Sequence, residues 1–156
     1  MKTEIITAGN IDRASEIIRA GGLVAVPTET VYGLAANGLD ASAVEKLYAV
    51  KGRPPVKPMN LMVHGVEAMH RCWSEVPEQA LTLAREFWPG PLTIINNSVP
   101  EIPDIVRAGG TTVGLRCPDH PLTLELLQKC ELPLAAPSAN PSGAPSPKTA
   151  QDVLSY

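Results

Sequence analysis

The chain is poor in aromatic residues, with two Trp, three Tyr and one Phe among 156 residues. A module that grips single-stranded nucleic acid by stacking bases on side chains needs more rings than this. It also lacks a surplus of positive charge. Thirteen Lys and Arg stand against sixteen Asp and Glu, a net charge of -3, whereas dedicated nucleic-acid binders carry a basic excess. Any anion site must therefore be a local cluster of cations on an acidic body. Cysteine is scarce: Cys72, Cys117 and Cys130 form no Cys-x-x-Cys pair and no ligand spacing, and read as small core residues. His64, His70 and His120 have no metal spacing either, so no metal site is expected. No run approaches the ~18 apolar residues of a membrane span, and the first residues are polar rather than a signal segment. A cytoplasmic protein without a membrane partner is the expectation. Neither G-x-x-x-x-G-K-[ST] nor G-x-G-x-x-G occurs, so a nucleotide would have to be held outside those two schemes.

Proline is plentiful. There are 16 in the chain, about twice the average usage. They do not gather into a linker. Pro27, Pro89, Pro91, Pro118 and Pro137 sit at the ends of apolar runs and punctuate a folded chain. Length and an apolar content of 44% suit one globular domain over residues 1–156 with a core of its own. Short β-type runs cover 23–26, 59–63, 92–96, 111–116 and 134–136, with 5–7 as a further edge. Helical spacing covers 11–20, capped by Asn10, then 40–50, 78–87 and 122–130 after Pro121. A last helix is expected to open at Ser146, as cap, with Pro147 at its first position, and to run through Val153. Strands alternating with helices predict an α/β (α+β) fold, a mixed sheet with helices on its faces.

Polar residues then stand where such a sheet binds ligands. Thr28, Glu29, Thr30 and Tyr32 follow the run 23–26 directly, at the carboxyl end of a strand; the alternative is a turn that caps its own backbone. Lys51 and Arg53 close a helix around Gly52. A compact ammonium and a planar fork suit a phosphate chain, though cations there also serve the helix dipole. Gly52 would allow close approach to a ligand, and Lys57 adds charge nearby. Arg116 ends an apolar run and needs a carboxylate or phosphate, with Asp119 the local candidate. Ser138 and Asn140 alternate on a proline-braced turn, either as ligands or as a plain Asx turn.

Six segments, in order, resemble the YrdC/Sua5 family of L-threonylcarbamoyladenylate synthases. They are Pro27-Thr28-Glu29-Thr30-Val31-Tyr32-Gly33-Leu34, Lys51-Gly52-Arg53-Pro54, Phe87-Trp88-Pro89-Gly90-Pro91-Leu92-Thr93, Thr112-Val113-Gly114-Leu115-Arg116, Ala136-Pro137-Ser138-Ala139-Asn140 and Ser146-Pro147. The resemblance covers roughly Ile11 to Val153. It implies a twisted mixed sheet with a deep cationic cavity. It implies a nucleotidyltransferase that joins L-threonine, bicarbonate and ATP into threonylcarbamoyl-AMP and pyrophosphate, with Mg²⁺ assisting. The product would pass to a threonylcarbamoyl-transfer complex acting on adenosine 37 of tRNA. On this resemblance Lys51 and Arg53 are the catalytic pair at the phosphates. Thr112, Ser138, Asn140 and Ser146 join them around ATP. Thr30, Arg116 and the backbone of Ala136 hold threonine.

The resemblance also shows departures. The family's later strand, with a Glu-Ser-Thr-Val type motif, and a following arginine lie beyond Tyr156, so a cavity short of part of one wall and weak or slow turnover are expected. Met62 takes the place of a family histidine near the threonine pocket, with His64 two residues on. Two other readings stay open. One is a double-stranded-RNA-binding module of the same fold without catalysis; the other is a carbamoyl-adenylating domain. Oligomeric state is left undetermined.

Overall fold

The structure, a computed structural model, describes residues 3–156. Among the described residues six strands form one mixed sheet in the order β1-β2-β6-β3-β5-β4. These are β1 (Val24–Val26), β2 (Gly33–Asn37), β3 (Leu61–Met62), β4 (Ile94–Asn97), β5 (Thr112–Arg116) and β6 (Leu134–Ala135). Only β3 and β5 run parallel, with Leu61 opposite Leu115. All other neighbours are antiparallel.

Alternation along the strands sorts side chains into two cores. On one face Ala36, Leu61, Val113, Leu115 and Ala135 meet α2 (Ala41–Lys51), α3 (Met69–Cys72), α4 (Glu78–Phe87) and α5 (Asp104–Arg107). On the other, Val26, Ala35, Met62 and Leu134 meet α1 (Ile11–Arg19) and α6 (Pro121–Cys130). The α1–α6 layer reaches only part of the second face. Thr112, Gly114 and Arg116 point to that side of β5, since Val113 and Leu115 are in the opposite core. Their neighbour Ile95, paired with Gly114, stays 66% exposed. Thr112 and Arg116 lie on this less covered area, whereas Lys51 ends α2 on the opposite face.

Several local expectations need correction. Residues 5–7 form no strand. The strand β2 was not anticipated, because Gly33-Leu34-Ala35-Ala36-Asn37 has no β-branched residue. It is a strand because β1 and β6 pair with it from both sides, a case of tertiary context deciding the backbone. The side chain of Asn10 makes no capping bond to α1. The last helix, α7 (Ala150–Leu154), is opened by Thr149 and Asp152 in a reciprocal capping box, not by Ser146 and Pro147. The four-residue α3 and α5 are too short to show periodicity. By contrast, α2 begins as its sequence predicts. Asp40 accepts from the N–H groups of Ser42 (3.0 Å) and Ala43 (3.3 Å). All three cysteines are buried and free, and burial pushes the Cys72 and Cys117 thiols up to about 11, as inert core residues require.

A candidate site with two ends

The first end is built by Tyr32. Its N–H donates to Pro147 O (2.8 Å) and its carbonyl accepts from Ala139 N–H (2.8 Å). With the isolated bridge between Gly33 and Ser138, this gathers the Ser138–Asn140 turn and the Ser146–Pro147 segment beside the start of β2. Ser146 is exposed there and caps nothing; Pro147 is buried.

Lys51, the last residue of α2, reaches into the same turn. Its Nζ donates to the carbonyls of Ser138 and Asn140, and its own carbonyl accepts from Ser142 N–H (2.7 Å). The residue is 4% exposed. Burial, and then the charge of Arg53, lower its pKa to about 8. Two of its three N–H donors are spent on backbone, and one remains for a ligand. Asn140 is 7% exposed. Its Nδ2 donates to Pro141 O (3.0 Å) and Ala144 O (2.9 Å), and its Oδ1 has no partner among the described residues. A buried acceptor without a donor is costly, and a ligand N–H or hydroxyl would relieve it.

Arg53 lies one residue beyond the cap, and its guanidinium braces its own turn through Lys57 O (3.4 Å) and Pro58 O (2.9 Å). Gly52 has φ +60° and a Cβ there would touch nothing within 4 Å. It serves as the left-handed helix cap of α2. Thr112 opens β5 opposite Asn97, the last residue of β4, and is exposed.

The second end is Arg116. Its Nη2 pairs with Glu29 Oε1 and donates to Thr30 Oγ1 (3.2 Å), and its Nε donates to Gly90 O (3.3 Å). The expected partner Asp119 supplies only its backbone N–H, to Glu29 Oε2 (2.5 Å). Sequence reasoning missed Glu29 as a partner because 87 residues separate it from Arg116; an unpaired arginine at a strand end was the available signal. Thr28 fulfils the turn-capping alternative: Oγ1 donates to Val31 O (2.7 Å) and accepts from Thr30 N–H (3.1 Å) and Val31 N–H (3.2 Å). Ala136 follows β6, half-buried, and its N–H donates to Asn60 O (3.4 Å). Met62 is buried in the α1–α6 core. His64 lines a separate cavity of about 270 Å³ with Glu67 and Arg71, which shares no residue with the site.

Fold and site together define an α/β protein with a mixed sheet and two polar clusters, one around a buried ammonium and the other around a paired guanidinium. The profile of the Sua5/YciO/YrdC family, described as telomere recombination, matches residues 16–156, and the chain belongs to that family. A threonylcarbamoyl-AMP synthase of Pyrococcus abyssi is 45% identical over 150 residues, 96% of this chain and 44% of the relative. One of Bacillus subtilis is 45% identical over 144 residues, 92% of this chain and 42% of the relative. The solved structure of P. abyssi Sua5 complexed with L-threonine superposes with a TM-score of 0.93 at 44% identity, over 97% of this chain and 45% of that one. The chain thus spans less than half the length of these relatives. No helix among the described residues is long and apolar enough to cross a membrane.

Proposed function

We propose that this chain supplies the L-threonylcarbamoyladenylate synthase site: L-threonine and bicarbonate give a carbamate with loss of water, and the carbamate oxygen attacks the α-phosphorus of ATP as pyrophosphate leaves. The observation that carries the reading is Lys51. A buried ammonium whose hydrogen-bond partners are two carbonyls, with no carboxylate beside it among the described residues, is a charge awaiting an anion. The step asks for alignment and neutralisation of charge more than for a covalent nucleophile.

In this reading Lys51 and Arg53 take the phosphates, Arg53 by exchanging its two carbonyl contacts for phosphate oxygens. Asn140 Oδ1 accepts from the nucleoside, with Ser138, Ser146 and Thr112 around it. Arg116 and Thr30 hold threonine, beside the backbone of Ala136. In this reading the space between the two ends is the cationic cavity that the family resemblance implies. Magnesium would enter on the nucleotide, because no cluster of three His, Cys, Asp or Glu among the described residues stands ready to hold it, and Mg²⁺ is commonly carried by substrate phosphates and waters. The product feeds modification of tRNA adenosine 37 by partner proteins in the cytoplasm.

The test is pyrophosphate release and AMP-adduct formation by the purified chain with ATP, Mg²⁺, L-threonine and bicarbonate, omitting each in turn. Release that needs threonine and bicarbonate supports the reading. Release with carbamoyl phosphate in their place, or salt-sensitive RNA binding without any turnover, would replace it.

A further inference from the structure

We infer that Glu29 is the positioning residue for Arg116, fixing which edge of the guanidinium faces the amino-acid pocket. This rests on the assignment of Arg116 to the threonine carboxylate proposed above. Both oxygens of Glu29 are engaged: Oε1 with Arg116 Nη2, Oε2 with Asp119 N–H at 2.5 Å. One carboxylate thus ties the β1–β2 loop to the strand end that carries the arginine and to the backbone just after it. The contact is sheltered, with side-chain exposures of 17% for Arg116 and 22% for Glu29.

A guanidinium has five N–H donors in a rigid fork. Here Nε goes to Gly90 O, and the two on Nη2 go to Glu29 and Thr30. Nη1 has no partner among the described residues and is the edge left for a substrate carboxylate. Removing Glu29 frees Nη2 and loosens the loop at once, so the fork would no longer present one fixed edge. The loop is held from its other side as well, by Thr123 Oγ1 donating to Pro27 O, so Glu29 can change Arg116 without unfolding the hairpin.

The experiment compares the parent chain with Glu29→Gln, Arg116→Ala and the double variant. L-Threonine and ATP are titrated separately by calorimetry, and the Arg116 Nε–H resonance is followed by NMR. Glu29→Gln keeps the side chain's shape, which guards against simple misfolding. It should weaken threonine binding by about tenfold or more, as loss of one partner in a sheltered charge pair does, and leave ATP binding unchanged. The Arg116 Nε–H signal should broaden. In the Arg116→Ala background the Glu29 change should add nothing to the loss. An Nε–H signal unaltered in Glu29→Gln, or additive losses, would overturn the inference. If the parent binds no threonine while the Nε–H signal still depends on Glu29, positioning stands and the assignment of the pocket falls.

Discussion

Lys51 and Arg116 anchor opposite ends of the site, and water is kept from them by different means. Lys51 is almost wholly buried with only carbonyl dipoles as partners, and its pKa falls to about 8. Arg116 is half-buried against a carboxylate; burial lowers its pKa as well, but a guanidinium keeps its charge throughout the physiological range. The first end therefore keeps a net positive charge and a spare donor, fit for a polyanion. The second end is neutral as a pair and offers one free edge, fit for a single carboxylate and unattractive to phosphates. The partners of the two cations thus give the two ends different charge.

The sharpest way to break this contrast is Lys51→Met, which keeps the apolar stem and removes the charge. Pyrophosphate formation should fall by roughly 100-fold or more, as for loss of a preorganised charge at the reacting centre. Stability should change little, because the two carbonyls that lose their donor are offset by relief of the cost of burying the charge. Steady-state turnover and thermal unfolding measure the two effects. A fully active Lys51→Met protein would move the phosphate site elsewhere.

Next in size is Arg116→Lys. It keeps a charge at the second end but loses the planar fork that serves Glu29, Thr30 and Gly90 together. Threonine affinity should drop by about tenfold or more while ATP affinity holds. Equal losses for both ligands, read by calorimetry, would mean that the two ends are not separate.

The pH dependence separates them further. Lys51 has a folded pKa near 8, below its unfolded value of 10.5, so charging it disfavours folding. Between pH 8 and 10.5 the unfolded chain binds more protons, and this group's contribution to stability rises with pH. Nucleotide affinity should move the other way, falling about tenfold from pH 7 to 9 as the ammonium is lost. Calorimetric titration of ATP and chemical denaturation, each at pH 7, 8 and 9, give the two slopes. Affinity that stays flat across this range would show that the ammonium keeps its proton.

How much of this was legible in the sequence follows from what each feature depends on. The Lys51 end was readable because the helical spacing over 40–50 and the glycine after Lys51 are local. Ser138 and Asn140 were readable for the same reason, from a proline-framed turn. What Lys51 touches was not readable, since Ser138 and Asn140 lie 87 and 89 residues away. The strand β2 escaped because its residues carry no β propensity and one of its two pairings is with β6, almost a hundred positions later. The same distance hid Glu29 behind the nearer Asp119. Local chemistry named the cations; only the topology names their partners.

The smallest effect expected is at Gly114, which sits on β5 midway between Thr112 and Arg116 and tests whether the floor joining the two ends is shared. A Cβ there would collide with Asn60 Oδ1 and come within 2.9 Å of Thr93 Cγ2. Both obstacles are side chains on the uncovered face, so they can shift, and Gly114 is not in the left-handed region. Gly114→Ala also stiffens the unfolded chain, which returns about 0.4–1 kcal/mol against an overpacking cost of roughly 1–3 kcal/mol. The net change in stability should be about 1 kcal/mol, a shift of a few degrees in Tm for a chain of this size. Because the new methyl narrows the floor rather than either anchor, ATP and threonine affinity should weaken together and modestly. Loss of one alone would place Gly114 within that ligand's pocket and draw the boundary between the two ends at the strand's middle.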